Sequence, residues 1–98
     1  MGYDIYKKPQ EEEDVLKAKD VVQIYPNPND GSFTVQLSGD NEDKVLLEVY
    51  DLVSKQVFEK EFEYNPQIPI TLNLNKGLYI VQIKQENILI HQEKIVIQ

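Results

Sequence analysis

Glu59, Glu61 and Glu63 are three catalytic-type residues set at every second position of this chain. On one face of an extended strand they would stand about 6–7 Å apart. A general acid, however, needs a dry or charge-coupled setting to raise its pKa, and a strand face built from three carboxylates is a solvated one. His91, the single histidine, could serve as base to Ser32, Ser38 or Ser54, but none of these serines sits in a glycine-flanked elbow. Asn27, Asn29 and Asp30, and the run Asp40-Asn41-Glu42-Asp43, supply oxygens of the kind calcium takes. The spacing of an EF-hand loop and its closing Glu are missing, and both stretches also read as turns, where Asn and Asp bond their own backbone. Tyr25, Tyr50, Tyr64 and Tyr79 could line a carbohydrate platform, yet at strand positions tyrosines mostly pack with a polar tip outward. With no cysteine there is no thiolate chemistry. The expectation is a chain with no catalytic residue, no metal ligand and no cofactor.

The elements around these residues must fit in 98 residues, enough for one domain with a small core. Seventeen acidic side chains against ten lysines and no arginine give a net charge of −7. Nucleic acids and anionic membrane surfaces both demand clustered cations, so neither is an expected partner. No apolar run approaches the roughly 18 residues of a membrane span, and the opening residues lack the apolar core of a signal peptide.

The chain divides near position 20. Residues 1–20 are rich in carboxylates (Glu11, Glu12, Glu13, Asp14, Asp20) and poor in core-forming side chains. This predicts a solvated acidic linker, or residues added for expression, that packs little on residues 21–98. From Val21 the apolar residues recur at every second position. Phe33, Val35 and Leu37; Val45, Leu47 and Val49; Ile70 and Leu72; and Tyr79, Val81 and Ile83 each fall on one face, and these eleven should form the core. Turn signals about every ten residues divide the stretch into seven strands with no helix between them. The predicted fold is all-β, a seven-stranded antiparallel β-sandwich of Ig-like architecture. Gln85-Glu86-Asn87-Ile88 reads as a tight hairpin with Asn87 at positive φ. Pro69 predicts an edge strand or a bulge, because it has no N–H to donate. In the last strand Ile88 and Ile90 share one parity and Ile95 and Ile97 the other, so a bulge is expected near Gln92. The three glutamates suit an edge guarded against aggregation.

Four segments, taken in order, resemble one family. They are Tyr25-Pro26-Asn27-Pro28-Asn29-Asp30-Gly31-Ser32-Phe33-Thr34-Val35, Val49-Tyr50-Asp51-Leu52, Lys76-Gly77-Leu78-Tyr79-Ile80-Val81, and Lys94-Ile95-Val96-Ile97-Gln98. Together they resemble the C-terminal sorting domain of proteins exported by the type IX (Por) secretion system of Bacteroidota, over about residues 22–98. The resemblance implies that 21–98 is a non-enzymatic sorting domain. It would direct an upstream passenger through the periplasm and outer membrane to the cell surface or medium. Its implied partners are the type IX translocon and a sortase-like surface peptidase that cuts before the fold, within the acidic stretch around residues 10–21; the passenger can then be joined to a lipopolysaccharide anchor. The residues expected to carry the signal are Gly77, Tyr79, Lys94, Ile95, Val96, Ile97 and Gln98, with Pro26, Asn27, Pro28 and Gly31 as the turn motif. The family places Gly where Ser54 stands here, which leaves that turn's conformation open.

Pro26 and Pro28 fix φ where the chain leaves its first strand, and Gly31 permits the turn into the second. Gly77 is expected to need positive φ or a close backbone approach. The closing strand is expected at a sheet edge, with unpaired backbone groups that a partner could read by strand addition. No direct membrane insertion is expected, and the domain should be a monomer. A different class of protein fits the same composition: an accessory carbohydrate- or adhesin-type binding module of a larger surface protein. Position discriminates the two, since a sorting domain must end its chain.

Overall fold

A computed structural model describes residues 21–98, so the linker reading of residues 1–20 lies outside the described residues. Seven strands succeed one another: β1 (Val21–Tyr25), β2 (Ser32–Ser38), β3 (Val45–Tyr50), β4 (Gln56–Phe62), β5 (Gln67–Thr71), β6 (Gly77–Gln85) and β7 (Ile88–Ile97). They form a three-stranded sheet in the order β1-β2-β5 and a four-stranded sheet in the order β4-β3-β6-β7. Every strand pair is antiparallel. This is the predicted all-β sandwich. All eleven residues expected in the core are buried, joined there by Val22, Ile24, Ile68, Ile95 and Ile97. Their alternation turns one face of each sheet inward, and burying those faces against each other is the main stabilising term.

The phase change in β7 is made by a bulge two residues earlier than expected. Ile83 lies opposite His91 and Lys84 opposite Leu89, so Ile90 is the inserted residue. The insertion turns Ile95 and Ile97 into the core and leaves Ile88 and Leu89 exposed at the hairpin end. The hairpin itself has both central residues at positive φ, Glu86 at 55° as well as Asn87 at 63°. That is the type I′ geometry whose twist matches the flanking strands.

Two of the edge strands carry their own guards. Pro69 sits on β5, which has β2 as its one neighbour, opposite Thr34. On β4, Lys60 lies opposite the buried Leu47 and therefore points toward the gap between the sheets, its ammonium 5.2 Å from the centre of the Phe62 ring. A charge directed inward on an edge strand opposes pairing with a further strand more directly than the outward glutamates do.

The turn after β3 accounts for Ser54. Asp51 accepts from the N–H groups of Val53 (3.0 Å) and Lys55 (2.9 Å), and its own N–H donates to the Lys55 carbonyl (2.9 Å). This closure drives Ser54 to φ 65°. The position is thus left-handed, and serine is strained where glycine would not be. Ser54→Gly should stabilise the domain by about 0.5–1 kcal/mol, read as a higher denaturant midpoint at unchanged slope.

Candidate functional site

The segment from Pro26 to Gly31 is held by its own side chains before it touches anything else. Both Tyr25–Pro26 and Asn27–Pro28 peptide bonds are cis. Asn29, 8% exposed, donates through Nδ2 to the Pro26 carbonyl (3.0 Å) and accepts the Gly31 N–H at Oδ1 (2.8 Å). Asp30 accepts the Ser32 N–H (3.0 Å), which starts β2. Gly31 has φ 108°, and a Cβ there would lie 2.6 Å from the Leu72 carbonyl oxygen. Leu72 in turn donates its N–H to the Gly31 carbonyl (2.8 Å). Glycine is required here by both the dihedral and the close approach.

The turn then lies along the outer edge of β7. Asn27 uses its carboxamide as a substitute peptide group: Nδ2 donates to the Lys94 carbonyl (2.9 Å), and Oδ1 accepts the Val96 N–H (3.0 Å). Asn29 continues with its backbone, its N–H donating to the Val96 carbonyl (2.9 Å) and its carbonyl accepting the Gln98 N–H (2.8 Å). The result is a short parallel bridge between Asn29 and Ile97. On the opposite side of β7, Gly77 pairs with Ile97, Leu78 with Val96 and Tyr79 with Ile95. Gly77 has φ 155°, and its nearest would-be Cβ contact is the Tyr79 ring at 3.8 Å, so the dihedral, not space, demands glycine. Tyr79, buried, anchors the preceding loop by donating its hydroxyl to the Asn75 carbonyl (2.7 Å).

The fold therefore gathers every residue singled out for the signal at one corner. Pro26, Asn27, Pro28 and Gly31 lie on one flank of Lys94–Gln98, and Gly77 and Tyr79 on the other. One expectation is corrected. β7 is an edge strand, but its outward backbone groups at Lys94, Val96 and Gln98 are not free, because the Asn27–Asn29 segment occupies them. Sequence reasoning offers Asn29 as a possible calcium oxygen and as a turn residue, and misses its clamp on Val96 and Gln98. The Asn-Asp-Gly run announces a turn but carries no trace of a partner almost seventy positions away.

The other chemical candidates disperse. Glu59, Glu61 and Glu63 are exposed on or just beyond edge strand β4, with Glu63 reaching Lys44 at 3.8 Å. His91 Nε2 lies 2.9 Å from Glu93 Oε1, while the Ser38 hydroxyl turns to the Val21 carbonyl. Asn41 caps its own loop by accepting the Asp43 N–H (2.9 Å). The tyrosines share no face: Tyr25 is exposed on β1, Tyr50 is half-buried at the end of β3, Tyr64 comes after β4 and Tyr79 lies in the core. Among the described residues no group of three or more His, Cys, Asp or Glu is placed to hold a metal ion. Among the described residues the one buried carboxylate, Glu48, sits on the outer face of the four-stranded sheet with Lys84 Nζ 3.0 Å away. The pair meets the distance of an ion pair, although Glu48 Oε1 lacks the angles of a hydrogen bond. Contact with Glu48 holds the Lys84 ammonium above its ordinary pKa, against a smaller desolvation effect. The pair packs on the outer face of the sheet.

The described residues thus form a two-sheet sandwich whose first turn clamps its last strand. The family model for the secretion system C-terminal sorting domain matches residues 23–98, and the chain belongs to that family, the type IX sorting domains. Membership implies export through the outer membrane to the cell surface or medium. The chain is also 28% identical over 88 residues to an endo-acting ulvan lyase of Formosa agariphila, matching 89% of this chain but 16% of the lyase. It thus spans about one sixth of that relative's length.

Proposed function

We propose that residues 21–98 act as a removable address label for a passenger joined at Val21's side of the fold. The observation that carries this reading is the extent of the family match, which runs from β1 through Gln98 and so takes in nearly all of the described sandwich. The type IX translocon recognises the folded domain, and a sortase-like surface peptidase cuts in the acidic stretch around residues 10–21. The chemistry of cleavage belongs to the peptidase. The domain supplies the recognised shape, held by the turn clamp on Lys94–Gln98, and works as a monomer without cofactor or metal.

The test is a reporter fused ahead of the full 98-residue chain in a type IX-competent cell. The reporter should appear outside the cell with its new C-terminus, read by mass spectrometry, between residues 10 and 21. Export with cleavage inside 45–85 would misplace the peptidase site. Retention of the intact fusion in the periplasm would refute the address-label reading.

A further inference from the structure

The outer face of the three-stranded sheet carries no charged side chain. The inward residues of β1, β2 and β5 are apolar and buried, so the alternate residues of each strand face outward. Those outward residues are amides, hydroxyls, Tyr25, Pro69 and Val21, in a chain that is 28% charged. The other sheet differs: Glu48, Glu59, Glu61, Lys84 and Lys94 occupy its outer face. Register orders the uncharged residues in rows. Gln23 lies opposite Gln36 and Gln36 opposite Gln67, so three carboxamides stand in line across the sheet, spanning about 10 Å. In the next row Tyr25, Thr34 and Pro69 stand side by side. The Tyr25 hydroxyl crosses between the rows and donates to Gln36 Oε1 (3.0 Å), which leans the ring over the face. We propose that this face is a binding platform for an uncharged polysaccharide, laid across the three strands with one sugar ring against Tyr25.

The chemistry of the face selects that ligand. A sugar hydroxyl both donates and accepts, and a carboxamide offers a donor and an acceptor on one planar group, so neighbouring hydroxyls of one ring can meet both. Gln36 gives its oxygen to Tyr25 and leaves its NH2 to a ligand, with Gln23 and Gln67 exposed on either side of it. The C–H face of a pyranose is apolar and packs on an aromatic ring, and Tyr25, 40% exposed, offers one beside the amide row. The tyrosines share no common platform, but a single ring next to three amides suffices for one sugar. Charge points the same way. An anionic polysaccharide would find no cation on this face and would be repelled by a chain of net charge −7. A second copy stacked on the sheet would bury a polar surface for little apolar gain. The platform is flat and hydrated, so single sugars should bind very weakly. Affinity should grow with chain length until the glycan spans the sheet, reaching a Kd of about 0.1–1 mM. This binding is a property of the folded chain and stands or falls independently of the export reading.

The test titrates the full isotope-labelled chain with neutral hexasaccharides of β-linked glucose, mannose and xylose, up to about 10 mM, and follows amide shifts by NMR. At least one glycan should move the signals of Tyr25, Gln36 and Gln67 while those of Glu61 and Gln82, on the other sheet, stay in place. That hexasaccharide should bind at least about tenfold tighter than its single sugar. Tyr25→Ala should weaken it at least about tenfold. Tyr25 borders the turn at Pro26, so Gln67→Ala, exposed on β5, is the second variant. It should weaken binding about three- to tenfold with unchanged circular dichroism. Glu61→Gln should bind as the parent does. Shifts by none of the three glycans would overturn the proposal. So would shifts that both variants leave intact, which would place the ligand elsewhere. Equal binding of an oligogalacturonate would overturn the assignment of an uncharged ligand. Signals of this face that move with protein concentration alone would give it to a second copy and overturn the platform.

Discussion

Gly31→Ala should destabilise the domain by about 2–4 kcal/mol, a large part of what a domain this small possesses. Two effects act on the same atom. The residue sits at φ 108°, where side chains are rarely found, and the new methyl would fall 2.6 Å from the Leu72 carbonyl oxygen. That oxygen is backbone and cannot swing aside as a flexible side chain would. Leu72 is also tied back by its N–H bond to the Gly31 carbonyl (2.8 Å) and is itself buried in the core. Relief at one point therefore breaks contact at the other. Gly77→Ala makes the comparison: its methyl would meet nothing closer than 3.8 Å, so the dihedral alone should cost about 1–2 kcal/mol. Urea denaturation of the two variants should rank Gly31→Ala as clearly the more damaging. Equal losses would mean that the close approach to Leu72 contributes nothing.

Deleting Lys94–Gln98 should leave a passenger in the periplasm. The five residues include Ile95 and Ile97, 0% and 3% exposed, and they share all four hydrogen bonds with the Asn27–Asn29 segment. Their removal strips core from one sheet and unclamps the turn that lies along them. Glu61→Gln and His91→Ala, which touch neither, should export normally. Circular dichroism of the truncated domain belongs beside the export assay. A truncated domain that is still exported would show that the terminal strand carries neither the fold nor the address.

The sandwich was legible because period-two alternation is a local property. Val45, Leu47 and Val49, or Tyr79, Val81 and Ile83, announce their buried face without reference to any partner. The bulge in β7 was legible as a change of parity, but its position was not. Any inserted residue between Ile90 and Ile95 satisfies the parity, and only pairing with β6 selects Ile90. Glu86 at φ 55° was hidden for a related reason: the type I′ turn is imposed by strand twist and overrides a side chain that does not prefer it. Lys60 resembles any other surface lysine until the register with Leu47 turns it inward.

The same divide separates the signal residues from their arrangement. The Pro-Asn-Pro-Asn turn, Gly77-Leu78-Tyr79 and the closing strand can each be picked out as motifs. Their convergence at one corner depends on β6 lying beside β7 and on Asn27 reaching across to Lys94 and Val96. Nothing in a turn motif tells which distant backbone it will meet. The expected open edge failed on this point: edge position comes from strand order, whereas occupancy of an edge depends on what packs alongside.

The most direct measurement is export of a reporter carrying residues 21–98 at its end, compared between a type IX-competent cell and the same cell without its translocon. The account predicts reporter at the surface or in the medium of the first and confined to the periplasm of the second. Reporter confined to the periplasm in both, or released equally from both, would contradict it.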